Sequence, residues 1–202
     1  MHIEDAKFCA IDIETTGLNP KKDEMIAFAC MPIVNLRIRV RDTFYTLIKP
    51  KHYSFNAMRY HGISRDNLMD APAFEDVADG ILKVLDGVLV GHSVEFDFCF
   101  LKKNFKASGV KFKRLCLDIA MIERWLRQRR RSSDMDLSLD AMMKCYGLKQ
   151  YYRHNASADA FFAAQIFQLQ MREMAALGVD MVEKVIKAAR SCTYAAGCDF
   201  AF

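Results

Sequence analysis

The sequence predicts an α/β domain built on a β-sheet of mixed direction. Three observations predict it. Apolar stretches of strand length crowd into the first 48 residues, close enough together for an antiparallel meander. From Phe74 onward the apolar spacing becomes helical. Two brief apolar runs then fall between helical segments, an alternation that sets strands beside crossover helices.

The elements follow in order. Lys7 to Glu14 reads as a first strand that turns acidic, ended by the turn-forming Thr15-Thr16-Gly17-Leu18-Asn19-Pro20. Met25 to Val34 reads as a second. Leu36 to Ile48 reads as a half-exposed third, with Ile38, Val40, Phe44 and Leu47 partly alternating against Arg37, Arg39 and Arg41. Phe74 to Leu85 repeats apolar residues at helical spacing, Gly87 to Gly91 is a short strand, and Val94 to Phe105 is helical through Val94, Phe98, Leu101 and Phe105. Leu115 to Leu117 reads as a last strand. Helical patterns cover Ile119 to Arg130, Leu137 to Tyr146, with Gly147 as its C′ residue, and Ala156 to Leu177. Asp180 with Glu183 resembles a capping box opening a final helix to Ala189. Residues 1–177 read as one domain and 178–202 as a helical extension packed on it.

Composition sets bounds. Of 202 residues, 52% are hydrophobic and 27% charged, enough to bury a core and too apolar for disorder. The longest apolar run, Met25 to Val34, falls short of a membrane span, and no signal-peptide pattern opens the chain. The seven cysteines are odd in number and show no zinc spacing, which predicts a reducing, cytoplasmic setting. The formal net charge of +4 decides nothing alone.

Four acids stand where the pattern asks for apolar residues. Alternation along the first strand puts Phe8, Ala10, Asp12 and Glu14 on one face. Asp97 lies between Val94 and Leu101 on its helix, on or beside the buried stripe. Asp159 precedes Phe162, Ala163 and Ile166 on the apolar face of its own helix. A buried carboxylate must protonate, pair or bind a cation, and a cluster of hard oxygen donors suits Mg²⁺ or Mn²⁺. Each acid also has a plainer reading: Asp12 and Glu14 as a strand end at the surface, Asp97 at a helix edge, Asp159 as a complement to its helix dipole.

At these residues the chain resembles the DEDDh exonucleases, the group containing RNase T, oligoribonuclease and the proofreading subunit of bacterial DNA polymerase III. Three motifs carry the resemblance: Asp12-Ile13-Glu14-Thr15-Thr16-Gly17-Leu18; Gly91-His92-Ser93-Val94-Glu95-Phe96-Asp97 followed by Phe100-Leu101; and His154-Asn155-Ala156-Ser157-Ala158-Asp159-Ala160. His61-Gly62-Ile63 and Cys116-Leu117-Asp118 also resemble family positions. Ser93 replaces the family's usual Asn, and residues after about Gly178 match nothing in the family.

The resemblance implies an RNase H-like fold, a five-stranded mixed sheet with helices on both faces. It implies 3′→5′ hydrolysis releasing nucleoside 5′-monophosphates, with two metal ions held by Asp12, Glu14, Asp97 and Asp159 and with His154 as general base, a task suited to a side chain that titrates near neutrality. It further implies that Thr15 and Thr16 meet the terminal nucleotide while Leu18 and Phe96 pack on its base; as residues alone, Leu18 and Phe96 read equally well as core. His61 and His92 read as structural. With four acids given to metal, 21 remain against 29 bases, a net +8 that favours a polyanionic partner, single-stranded or 3′-end-exposed nucleic acid. The run Arg127, Arg129, Arg130, Arg131 and the strand arginines Arg37, Arg39 and Arg41 are candidate patches, and the first reads also as a solvated helix end. Other roles stay open: a polymerase-bound proofreader, against which the lack of a long C-terminal extension counts; a non-catalytic nucleic-acid-binding module; or docking of a partner or second copy through Tyr194 to Phe202.

Overall fold

The computed structural model describes residues 1–149 and 154–192. Strands β1 (Lys7–Thr15) and β2 (Met25–Val34) pair antiparallel, and β2 also carries β3 (Arg37–Ile38) and β4 (Phe44–Leu47). Helices α1 (Phe55–His61), α2 (Arg65–Met69) and α3 (Phe74–Val84) follow. Then come β5 (Val88–Gly91), α4 (Val94–Ala107), β6 (Cys116–Asp118), α5 (Ile119–Arg130), α6 (Leu139–Cys145), α7 (Ala156–Ala176) and α8 (Val182–Arg190).

The sheet order is β3-β2-β1-β5-β6, with β1, β5 and β6 parallel. The direction is mixed, as the sequence predicts. The count is six described strands rather than five, because a 3₁₀ turn at Val40–Asp42 splits the expected third strand into β3 and β4. Helices cover both faces. Phe8, Ala10, Ile33 and Val90 meet α5, α7 and α8, while Cys9, Ile11, Ile13 and Phe28 meet α3 and α4. This division by parity is the period-two alternation of β1 made physical. Phe8, fully buried with its ring 4.8 Å from that of Phe167, contributes about 1.5–3 kcal/mol by burial alone.

Helices α1 and α2 fall where the apolar spacing predicts nothing; each is set by a serine, Ser54 or Ser64, whose hydroxyl accepts a first-turn N–H. The expected capping box at Asp180 is absent. Met181 sits at the N-cap of α8, Glu183 pairs with the amino terminus at 2.9 Å, and Asp180 takes Lys184. Helix α8 buries Val182, Val185, Ala188 and Ala189 in the core shared with α5 and α7. Among the described residues no helix is long and apolar enough to cross a membrane. Residues 194–202, the expected docking segment, lie outside the described residues.

Candidate active site

The last pair between β1 and β5 joins Ala10 to Val90, so Asp12 and Glu14 project past the end of β5. In an open α/β sheet this edge, where the connections turn away from each other, is where ligands bind. On β2 their partners are alanines, Ala29 and Ala27. Ala156 and Ala160 of α7 pack on those alanines, and four small side chains let the helix approach closely. The first turn of α7, carrying Asp159, is thereby set on the face that bears Asp12 and Glu14.

Asp97 arrives from the other side. The turn from β5 into α4 needs Gly91, where a Cβ would lie 3.1 Å from the carbonyl oxygen of Ile11. Ser93 then adopts a left-handed φ of 56°, sparsely populated by residues with a side chain. One turn on, Asp97 is only 4% exposed, close to the backbone of Ile13, the residue between Asp12 and Glu14. Burial pushes it well above the usual carboxylate range; backbone N–H groups, including that of Ile13, oppose this, and the charges of Asp118 and Glu14 add to it.

Three residues without a role in the sequence reading join this edge. Asp118 ends β6 opposite Gly91 and caps α5 through Ala120 at 2.8 Å; burial raises its pKa. Glu95 is raised by burial and then by Asp118. Tyr45, raised by burial and then by Glu14, borders the edge from β4. Asp118 could have been found as Asp12 was, an acid closing an apolar strand. Tyr45 could not, because its place depends on the pairing of β4 with β2.

His154 is exposed, with a left-handed φ of 60°, and its backbone N–H donates to Asp159 Oδ2 at 3.2 Å. Asn155 caps α7 through Ala158 N–H. The Thr15 hydroxyl donates to the Gly17 carbonyl at 2.7 Å, and the Thr16 hydroxyl accepts the Glu24 N–H at 2.9 Å, so both hold the turn after β1. Leu18 is 85% exposed and stands outside the core; Phe96 is half-buried against Phe100. His92 bonds the Leu137 carbonyl at 2.9 Å, and His61 accepts the Ile63 N–H at 3.0 Å.

The arginine run is partly engaged within the fold. Arg127 is buried on Glu123 at 3.0 Å, Arg130 bonds Glu123, Glu173 and Tyr146, and Arg129 lies over the Trp125 ring. Arg127 is withdrawn from the patch, while Arg129, Arg130 and Arg131 stay exposed at the C-terminal end of α5, as a solvated helix end would be. Arg37 and Arg41 are exposed, and Arg39 pairs with Asp42.

Asp12, Glu14, Asp97, Asp159 and His154 are thus carried to one end of the sheet by three elements and a loop. Among the described residues no three Asp, Glu, His or Cys side chains close on one point tightly enough to hold an ion. The four carboxylates nonetheless suit one: they are oxygen donors at least partly buried, and Asp97 is raised first by burial and then by the charges of Asp118 and Glu14, which a hard divalent cation would relieve.

The fold and this acidic edge define a hydrolase acting on nucleic acids. The family model for RNase T, described as Exonuclease, matches residues 9–167, and the chain belongs to this exonuclease family. DNA polymerase III PolC-type of Caldanaerobacter subterraneus subsp. tengcongensis is 31% identical over 90% of this chain, which spans only 13% of that much longer protein. The DNA polymerase III subunit epsilon of Buchnera aphidicola subsp. Schizaphis graminum is 27% identical over 81% of this chain and 73% of its own length. Among solved structures, the nuclease domain of 3′hExo, a DEDDh family member bound to rAMP, has the same fold, with a TM-score of 0.69 at 19% identity over 86% of this chain and 95% of that one.

Proposed function

We propose that the chain is a 3′→5′ exonuclease that acts on DNA ends and releases nucleoside 5′-monophosphates. One observation carries the reading: Asp97 is buried beside two further acids, Asp12 and Glu14, that share a strand face at the edge where this fold binds ligands. Such an arrangement destabilises the chain by itself and is retained where chemistry needs it.

Asp12, Glu14, Asp97 and Asp159 would hold two divalent cations, Mg²⁺ or Mn²⁺. Bound there, such ions supply an acidified water and neutralise charge on the attacking and leaving oxygens. The protein's own contribution is positioning and proton transfer. His154 takes a proton from the water as general base; its exposure and loop position let it reach over the edge. The Asp159 carboxyl holds the His154 backbone and fixes where that loop begins. Thr15, Thr16, Leu18 and Phe96 meet the terminal nucleotide, with Leu18 already facing solvent. DNA is favoured as substrate because relatives named as DNA polymerase III align over most of the chain.

The test is a digestion panel with 5′-labelled single-stranded DNA, duplex DNA and short RNA in Mg²⁺ or Mn²⁺, against EDTA. The expected result is stepwise shortening from the 3′ end, fastest on DNA, and none in EDTA. Full activity in EDTA, or cleavage confined to closed circles, overturns the reading.

The same relatives favour a second reading, that the exonuclease works with a polymerase as its proofreader. Co-purification with a polymerase from the source cells supports it; an exonuclease that always purifies free of polymerase argues against it.

A further inference from the structure

The chain between β4 and α2 carries two aromatic rings in solvent: Phe55 is 66% exposed and Tyr60 74%. Single exposed aromatics are ordinary. Here a cation, Arg59, lies between the two on the exposed arc of the helix. Residues four apart on α1 are neighbours, so Phe55 sits beside Arg59 and Asn56 beside Tyr60; all four are exposed, while Ala57, Met58 and His61 turn inward. No acid lies on α1, and the exposed Lys51, His52 and Arg65 flank it, with Asp66 as the adjacent counter-charge.

The Phe55 ring has an aromatic neighbour. Tyr53 meets it edge-on with centroids 5.0 Å apart, and the Tyr53 hydroxyl donates to the Ile63 carbonyl at 3.0 Å. The segment is also tied to the acidic edge at both ends. Lys51 and His52 donate backbone N–H groups to the Glu24 carboxylate at 2.8 and 3.0 Å, and the Glu24 N–H reaches Thr16. Ile63 packs on the alanines beneath Asp12, Glu14 and Asp159. Both ends of the segment that carries α1 are therefore joined to the elements that bear the candidate active site.

We propose that this face is a stacking track for single-stranded nucleic acid upstream of its 3′-terminal nucleotide. Phe55 and Tyr60 offer ring faces to successive bases, and Lys51 and Arg59 pair with phosphates. The occupant follows from charge complementarity and from continuity with the acidic edge, and the proposal rests on reading that edge as a 3′-exonuclease site. Rigid, sequence-tolerant stacking beside cations is how proteins hold single strands whatever their sequence.

Fluorescence anisotropy with labelled dT20 and dT3, in millimolar Ca²⁺, tests it. The Phe55→Ala/Tyr60→Ala protein is expected to bind dT20 tenfold or more weakly, since stacking is worth roughly 5–150-fold per base. The Phe55→Tyr/Tyr60→Phe protein is expected to bind like wild type. Lys51→Ala and Arg59→Ala are each expected to lower the salt slope for dT20 by about 0.7. Wild type binding dT20 no better than dT3, or the double alanine protein binding dT20 normally, overturns the track; a protein partner on this face would give that second result. Mn²⁺-dependent hydrolysis of the p-nitrophenyl ester of thymidine 5′-monophosphate is run alongside. Its absence in wild type overturns the exonuclease reading, while the binding comparison still decides the track.

Discussion

The carboxyl of Asp159 accepts the backbone N–H of His154 at 3.2 Å, so the acid expected to hold metal also anchors the loop expected to supply the base. An exposed residue with φ near 60° needs such a tether to keep one position. The two roles are coupled through five residues of chain. His154→Ala is expected to lose about 10²–10⁴-fold in rate, the worth of general-base catalysis, while metal binding persists. Single-turnover kinetics with Mn²⁺, beside calorimetric metal titration, checks this. Turnover like wild type at neutral pH removes His154 from the mechanism.

Arg130 is expected to matter for stability rather than for nucleic acid. Its guanidinium joins Glu173 on α7, Glu123 on α5 and Tyr146 beyond α6. Arg130→Ala is expected to cost about 1.5–3 kcal/mol, as loss of charged hydrogen bonds does. The salt dependence of DNA binding should not change, because this cation is already neutralised in the fold. Urea melts and binding titrations at two salt concentrations separate the outcomes; a slope shallower by about 0.7 would return Arg130 to the interface.

The sequence was legible where one period governs a segment. Alternation alone put Asp12 and Glu14 on the face opposite Ile11 and Ile13, and helical spacing put Asp97 and Asp159 against apolar neighbours; the first pair is half-buried, and the second is buried. It was not legible where long-range pairing decides. Arg127 reads as part of a surface patch, yet it is buried with Glu123 because α6 and α7 close over them. Tyr45 meets Glu14 only through the register that joins Ala29 to both Tyr45 and Asp12. Helices α1 and α2 are too short to show a period, and their serine caps are common in loops as well.

Glu123 makes stability depend on pH. Burial alone would raise its pKa; hydrogen bonds from Tyr146, Arg127 and Gln170, with the charge of Arg130, hold it below the usual carboxylate value. A depressed carboxylate contributes stability above its unfolded pKa, near ~4.3, and loses it as pH falls through the folded value. Glu123→Gln leaves Arg127 buried with only the more exposed Asp134, 3.3 Å away, as counter-charge, and is expected to cost up to about 3 kcal/mol at pH 7. The gap from wild type should narrow below about pH 4, where wild type also loses the charge. Denaturant melts of both proteins at pH 7 and pH 3.5 check it; a gap independent of pH would mean that shape, not charge, is what Glu123 supplies.

Asp97 gives the sharpest test of the metal reading, because its two costs have opposite signs with and without a cation. In the metal-free protein its carboxyl is buried, with Glu14 and Asp118 adding repulsion, and only backbone N–H groups favour its charge. Asp97→Asn keeps the shape and one acceptor oxygen while removing the repelled charge. The metal-free variant is therefore expected to be as stable as wild type or more so. With Mn²⁺ the order reverses. An ion that binds only the folded state stabilises by RT ln(1 + [L]/Kd), about 2.7 kcal/mol at a hundredfold excess over Kd, and a variant lacking one ligand should gain far less. Most exonuclease activity should disappear with it. Thermal melting of both proteins in EDTA and in millimolar Mn²⁺ supplies the four numbers needed. If metal-free Asp97→Asn melts well below wild type and both proteins respond equally to Mn²⁺, then Asp97 is a structural acid held by its backbone partners, and the metal ligands lie elsewhere on the edge.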